Sequence, residues 1–391
     1  MLVTTMKVTA NITQRRSKMS KLEQLINELC PDGVEYISLG FYCKILKGKQ
    51  LNKENLLEEG DYPAYNGGTN YSGFTNNYNV GANTTIISQG GASAGFVQFI
   101  KTKFWANAHC YYLQPDYNFL NNKYVFHFVK SMQNKLMECQ HGAGIPALKA
   151  NEIYKLQIPL PPLAVQEEIV RILDTFTELT TELTTELTMR KQQYEYYRNS
   201  LLTFGDEVEW KILGEICELS VGGDVPKNNW NKEITEQYNI PIYSNGIEND
   251  GLYGYTGSPR IEKPSVTIAG RGAGVGNAIL RKNPYFPIIR LISATPKNKI
   301  TADFLYYFIK TIIFKVPTSG IPQLTIPMIR NIQIPVPSLE EQQRIVDILD
   351  RFDTLVNDVK EGLPAEIEAR QKQYEYYRDK LLTFKRLEIK D

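Results

Sequence analysis

No stretch of this chain approaches eighteen uninterrupted apolar residues, so no membrane-spanning helix is expected. The opening residues, "MLVTTMKVTANITQRRSKMSKLEQL", lack the charged-then-apolar pattern of a secretory signal, which points to a cytoplasmic protein. Met19 has the setting of a start residue, and residues 1–18 are expected to be a disordered leader. Cysteine is scarce and scattered. Cys30, Cys43, Cys110, Cys139 and Cys217 form no C-x-x-C pair, which argues against a disulfide framework or a zinc cluster and suits a reducing compartment. The three histidines (His109, His127, His141) show no metal-ligand spacing, so no metal is expected. Catalytic signatures are missing too. No G-x-x-x-x-G-K-[ST] loop occurs, "GRGAGVG" (270–276) fails the G-x-G-x-x-G spacing, and "QPDYNF" (114–119) carries one proline where a methyltransferase N/D-P-P-Y/F loop needs two. Nor is there an acidic cluster beside a lysine of the nuclease type. Even charge is withheld: the net value is +1, without the basic excess by which many polyanion binders announce themselves.

What the chain has in abundance is itself. At 391 residues it exceeds one ordinary core and fits two to four units. The string "QYEYYR" stands at Gln193–Arg198 and again at Gln373–Arg378. "LQIPLPPLAVQEEIVRILDTF" (156–176) aligns with "IQIPVPSLEEQQRIVDILDRF" (332–352), and "RKQQYEYYRNSLLTF" (190–204) with "RQKQYEYYRDKLLTF" (370–384), the second copy being four residues longer. Fainter echoes precede these: "IISQGGASAG" and "TIAGRGAGVG", "YPAYNGG" and "IPIYSNG", "VEYISLG" and "VEWKILG", and "GIP" at 144–146 and 320–322. The plan is globular, helical, globular, helical. The N-terminal "KLEQLINELCPDG" resembles a stub of the helical tail, so the layout is nearly cyclic.

The helical segments open at Pro161–Pro162 and Pro337–Ser338, where Ser338 and Glu341 have capping-box spacing. Ile169, Leu173 and Phe176, like Ile345, Leu349 and Phe352, have the four-then-three spacing of a coiled-coil seam. In "TELTTELTTELT" the leucines recur every fourth residue, overshooting a helical turn by about 40° each time, so that stripe must drift. Gly362 and Pro364 predict a break with Pro364 in the first turn of a restarted helix. The globular stretches have short β-rich runs between Gly/Asn/Tyr turns, with helices expected near 122–137 and 302–314. This reads as mixed α/β (α+β) with mostly antiparallel sheets.

The helical copies have stayed alike while the globular stretches have diverged, so the helices suit two copies of one partner. Tyr194, Tyr197 and Leu201 share a face, as do Tyr374, Tyr377 and Leu381; Tyr196 and Tyr376 lie on another. Seam packing and partner docking both remain open for Tyr194, Tyr196, Tyr197, Arg198, Tyr374, Tyr376, Tyr377 and Arg378. If the globular stretches bind nucleic acid, Asn, Gln, Arg and Lys supply the bidentate groups that read base edges. The candidates are Lys47, Lys49, Asn66, Tyr71, Gln89, Lys101 and His109 in the first stretch, and Asn228, Asn229, Asn245, Arg260, Arg271, Arg281 and Arg290 in the second. Each also has an ordinary reading as a turn or surface residue.

The repeats, both "QYEYYR…LLTF" ends, the Thr-Glu-Leu-Thr run and the opening "KLEQLINELCPDGVEYISLG" together resemble the specificity subunits of Type I restriction–modification systems, over Met19 to Phe384. The resemblance implies two similar mixed α/β target-recognition domains (19–160 and 207–336) joined by two long helices (161–206 and 337–391) packed as an antiparallel coiled coil. It also implies that each domain reads half of a bipartite, asymmetric double-stranded DNA target, while the helices space them and bind two modification (methyltransferase) subunits, with restriction subunits joining. The chain would then do no chemistry, with S-adenosylmethionine, ATP and magnesium only on the partner subunits. Two other readings stand beside it: a coiled-coil adaptor with carbohydrate- or peptide-binding domains, suggested by the neutral charge, and an enzyme fused to its own recognition part.

Overall fold

Helical and β-rich segments alternate as the repeats require, in a computed structural model that describes residues 20–140, 146–316, 322–358 and 360–388. The expected leader, His141 and the Gly-Ile of both Gly-Ile-Pro strings lie outside these residues. The chain divides into two units, one made of Met1–Leu183 with Ile367–Asp391, the other of Thr184–Glu366.

In the first unit, helix α1 (Lys21–Leu29) starts at a full capping box between Ser20 and Glu23. Strand β1 (Tyr36–Ser38) pairs antiparallel with β9 (Gln157–Pro159). The main sheet has the order β2-β8-β5-β6, from Cys43–Lys47, Cys110–Pro115, Thr84–Ser88 and Val97–Ile100, antiparallel throughout. A smaller sheet, β4-β3-β7 (Gly73–Thr75, Tyr62–Tyr65, Trp105–Ala106), contains one parallel pair, β3 with β7. Helix α2 (Asn122–Ser131) packs on the main sheet, with the Asn121 side chain accepting from the Lys123 and Tyr124 N–H groups at its start. Short helices α3 (Gln133–Glu138) and α4 (Ala150–Tyr154) follow.

The second unit repeats this plan. After β10 (Glu209–Ile212) and α6 (Leu213–Ile216), its main sheet is β11-β18-β15-β16 (Cys217–Val221, Ile292–Pro296, Ser265–Ile268, Ala278–Arg281). Its smaller sheet is β12-β14-β13-β17 (Trp230–Asn231, Leu252–Thr256, Ile240–Tyr243, Phe286–Pro287), again with one parallel pair, β13 with β17. Helix α7 (Ala302–Ile309) takes the place of α2; α8 (Ile326–Ile329) and β19 (Gln333–Val336), which pairs with β10, complete it. Two helix ends differ from expectation. The 122–137 segment breaks at Met132, and α7 stops at Ile309, before the β-branched run Thr311, Ile312, Ile313 that resists helix.

Helix α5 (Leu163–Leu201) is a single rod of 39 residues, whereas its repeat is split into α9 (Leu339–Asn357) and α10 (Leu363–Leu381), with Pro364 in the first turn of α10 as expected. A Cβ on Gly362 would lie 2.5 Å from the Thr354 carbonyl oxygen and 2.7 Å from that of Asp358, so the break needs glycine. Ser338 caps α9 through the Glu341 N–H, but the Glu341 carboxylate pairs with Arg344 instead of returning to the cap, so the expected box is half formed. Within the first unit, Val165, Ile169 and Leu173 of α5 join one core with Leu382, against which Tyr374 and Leu381 pack, and Phe176 stacks on Tyr377 at 5.2 Å. Within the second, Leu187, Tyr194 and Leu201 of α5 meet a core containing Ile345, Val346 and Leu349, and Tyr197 stacks on Phe352 at 5.5 Å. Helix α5 begins in the first unit and ends in the second, and the α9–α10 region begins in the second and ends in the first. The drifting stripe is visible: Leu179 is exposed, Leu183 and Leu187 half-buried.

The cyclic layout is closed by hydrogen bonds. The Val34 N–H donates to the Lys385 carbonyl and the Leu387 N–H to that of Val34, both at 2.9 Å. The Tyr36 hydroxyl donates to the Phe384 carbonyl and accepts the Phe384 N–H, both at 3.0 Å.

Candidate nucleic-acid interface

In the second unit, the segments that follow β11, β13, β15 and β17 converge. Residues Ile289 (φ 53°) and Arg290 (φ 61°) both sit in the left-handed region, which is rare for any side chain and rarer for a β-branched one. The Ile289 N–H donates to the Gly223 carbonyl at 2.8 Å and the Arg290 N–H to the Gly222 carbonyl at 2.9 Å. Asn245 acts as a brace: its side-chain amide donates to the Ile289 carbonyl, and its oxygen accepts the Gly270 N–H at 2.8 Å. Glycine is required at 270, where a Cβ would fall 2.5 Å from the Arg290 carbonyl oxygen. Arg271, Arg290 and Arg260 project from this platform with exposed side chains, and the Arg260 guanidinium reaches Gly223.

The first unit builds a related platform at the same place, without the left-handed pair. The chain leaves β7 and reaches His109 three residues on, as it leaves β17 and reaches Arg290. The Gln89 N–H donates to the His109 carbonyl at 2.9 Å, and the Lys49 N–H to that of Ala106 at 2.9 Å. Here the brace is buried Asn107, which exchanges hydrogen bonds with both backbone groups of Leu51 at 2.9 and 2.8 Å. Gly90 forms a bridge with Ala147 just as Arg271 does with Gln323. His109, Lys47 and Lys49 are exposed.

The comparisons with known proteins agree with this doubling. A family model described as the Type I restriction modification DNA specificity domain matches twice, over residues 31–190 and 205–369. The chain belongs to this family. It is 34% identical over 407 residues to the specificity subunit of the type I restriction enzyme EcoR124I/EcoR124II of Escherichia coli, covering 94% of this chain and 98% of that one. The EcoprrI specificity subunit of the same organism is 30% identical over 298 residues, covering 71% and 73%. The crystal structure of a Type-I restriction-modification system S subunit from M. genitalium shares the fold, with a TM-score of 0.63, 22% identity and coverage of 90% and 96%.

Seen as a specificity-domain protein, the chain gathers some of its sequence candidates and disperses others. Lys49, Gln89 and His109 meet on the first platform; Asn245, Arg260, Arg271 and Arg290 on the second. The Gln89 side chain turns inward, its oxygen enclosed without a partner among the described residues. Asn66 follows β3 and is exposed, Tyr71 packs on the Phe74 ring, and Asn228 and Asn229 flank β12. Lys101 lies elsewhere, in a cleft of about 350 Å³ with Phe99, Lys123, Phe126 and Asp174. Arg281 points into the protein. It is buried, stacks 3.5 Å from the Tyr243 ring centre, and donates to Thr267 Oγ1 at 3.2 Å and the Asp250 carbonyl at 2.5 Å. One of its donors holds the turn at Asn249–Asp250 through the Asp250 carbonyl.

The repeated Tyr-Arg strings divide into two faces. Tyr194 and Tyr374 turn inward, each beneath its own arginine, with Arg198 and Arg378 at 5.8 and 5.6 Å from the ring centres. Tyr197 and Tyr377 stack on the seam phenylalanines. Tyr196 and Tyr376 stand out at 70% and 62% exposure and touch only the edges of Tyr197 and Tyr377 among ring contacts.

Sequence reasoning missed the residues that join domain to rod. Gln166 and Gln342 are both fully buried. Gln166 accepts the Asn121 N–H and donates to the Phe119 and Pro161 carbonyls, all at 2.8 Å. Gln342 accepts the Thr301 N–H at 2.9 Å and donates to the Lys299 and Pro337 carbonyls at 3.0 and 2.9 Å. Their identity at matching positions of the aligned repeats was the available signal. His127 is buried on α2 between Tyr374 (2.9 Å) and Asp174 (3.4 Å), and Asp174 also pairs with Lys123. Burial lowers the His127 pKa and pushes that of Tyr374 up to about 12. A neutral His127 therefore accepts the tyrosine proton at Nδ1 and donates to Asp174 from Nε2. The same place in the second unit holds Tyr307, which donates to Asp350 at 2.5 Å.

Proposed function

We propose that this chain is the sequence-reading subunit of a Type I restriction–modification complex, each platform reading one half of a bipartite, asymmetric double-stranded DNA target. One observation carries the reading: two platforms at the same place of the repeated sheet share part of their backbone bonding, Gly48 N–H to Cys110 with Gly222 N–H to Leu291 and Leu148 N–H to Gln89 with Leu324 N–H to Gly270, and are furnished differently, with Lys49, Gly90 and His109 on one and Gly223, Arg271 and Arg290 on the other. Related scaffolds with unequal donors are what two unlike half-targets demand, since base edges are told apart by their donor and acceptor patterns. The outlying candidates Lys47, Asn66, Tyr71, Lys101, Asn228 and Asn229 suit backbone contacts, which position a protein without reading sequence.

In this reading residues 19–160 and 207–336 are the recognition domains and the paired helices set their spacing. A 39-residue helix is about 58 Å long, against about 34 Å per turn of DNA. The two outward tyrosines, Tyr196 and Tyr376, each meeting the edge of the next tyrosine ring, support docking of two copies of one partner, the modification subunit. Restriction subunits complete the assembly in the cytoplasm. Methyl transfer and cleavage, with their S-adenosylmethionine, ATP and magnesium, belong to those partners, and this chain contributes no catalytic group.

Footprinting tests the proposal. The chain with its modification subunit should protect one interrupted, asymmetric sequence and release it as salt rises. Protection that ignores sequence would refute it.

A further inference from the structure

The register of the two platforms singles out one position in each. Strand β5 pairs Ile87 with Tyr111, and β15 pairs Ile268 with Ile292 in the same place of the repeated sheet, so His109 and Arg290 are equivalent residues two positions before those strand partners. Around Arg290 the backbone is over-determined. Two consecutive residues, one of them isoleucine, are held in the strained left-handed region. They are held by Gly222, Gly223 and Asn245, and enclosed where Gly270 leaves room for the Arg290 carbonyl. The side chain is the opposite: exposed, and engaged in no hydrogen bond or ion pair with any described residue. Arg281, on strand β16 of the same unit, shows what an arginine used for structure looks like, buried, with donors on Thr267 and Asp250 and its guanidinium over a tyrosine ring. A frozen backbone under an unengaged guanidinium is a mount for a group whose partner comes from outside.

We propose that Arg290 and His109 are the base-reading side chains of the two platforms, and that the half-target read by the second domain contains a guanine held by Arg290 in the major groove. The proposal rests on the DNA-recognition reading above and adds the residues and one base to it. The planar guanidinium matches guanine O6 and N7 with two parallel hydrogen bonds, a geometry that lysine lacks. His109 presents one ring nitrogen at a time to a base edge, so the matching position of the first half-target is read less stringently.

The experiment is selection from a randomised double-stranded DNA library by the intact chain in complex with its modification subunit, repeated with Arg290→Gly, Arg290→Lys and His109→Ala. Glycine suits the left-handed backbone, so Arg290→Gly should leave the melting temperature unchanged or raised. Both Arg290 variants should select the same first half and spacer, and lose preference at one G·C pair of the second half by roughly 5- to 150-fold. His109→Ala should blur one position of the first half only. Should Arg290→Gly select the original sequence while binding every DNA more weakly, with the salt slope reduced by about 1, Arg290 would be a phosphate contact and the inference would fall alone. Loss of selection at an A·T pair would likewise overturn the guanine assignment. If Arg290→Gly melts early, Arg290→Lys decides, since it keeps the charge and removes the fork. Selection of no sequence by the unaltered complex would instead overturn the recognition reading itself.

Discussion

A fully buried glutamine whose amide uses three hydrogen-bonding directions is an expensive residue to misplace, and Gln166 and Gln342 each tie the entry of a domain helix to the first turn of a rod. Removing the amide leaves one backbone N–H and two carbonyls enclosed, and each unpaired group costs about 1–3 kcal/mol. Gln166→Leu, close to the same volume, should therefore destabilise the first unit by about 3 kcal/mol or more. Hydrogen exchange read by mass spectrometry should show faster exchange across 119–131 and 161–170, with the second unit unchanged; Gln342→Leu should do the converse. A loss below about 1 kcal/mol would mean that the freed groups find water. These residues were legible in principle, because both repeats carry glutamine at this point. They were passed over because a polar residue in an amphipathic helix reads as surface until its distant partners, Asn121 for Gln166 and Thr301 for Gln342, 45 and 41 positions away, are brought to it. Arg281 was misread for the complementary reason. Nothing local distinguishes an arginine folded under a tyrosine from one facing solvent.

At the level of elements, the rods were the readable part. Proline starts, the four-then-three seam and the Gly362–Pro364 break are local signals with local causes, and each has its counterpart in α5, α9 and α10. The platforms were not readable in this way. They depend on β7 and β17, two residues each, too short to show periodicity and paired in parallel with strands some forty residues earlier. The rod also carries a graded prediction. In the Thr-Glu-Leu repeat, threonine hydroxyls donate back along the helix, Thr180 to Phe176 at 2.9 Å and Thr181 to Thr177 at 2.8 Å, which satisfies the hydroxyls locally and adds no stability to the rod where leucine burial fades. Deleting the four residues 181–184 shortens α5 by about 6 Å and turns one end by about 40° against the other. Library selection with this variant should return both half-targets unaltered with a different number of bases between them. An unchanged spacer would remove the helix from any part in setting distance.

For the whole molecule, the two ends of the chain behave as a joint that was never covalently made. Residues 382–387 seal the first unit through Val34 and Tyr36, and Leu382 lies in its core beside Leu22. In the second unit the corresponding passage, from Leu202 to Val208, is continuous chain, with Gly205 held by the Glu207 carboxylate at 2.9 Å and the Trp210 indole at 3.2 Å. If hydrogen bonding suffices at one joint, it should suffice at the other. A permuted protein opened between Gly205 and Asp206, with residue 388 joined to Ser20 by a flexible glycine–serine linker, should fold, bind its modification subunits and select the same target. The thermodynamic balance favours this, since cutting one loop and closing another of similar length changes chain entropy by little more than RT. Thermal unfolding and library selection would measure it. A permutant that keeps the first half-target and loses the second would show that the natural joint leans on α1, whose Leu22 fills the first core, and that the two units are alike in fold but unlike in how they are sealed.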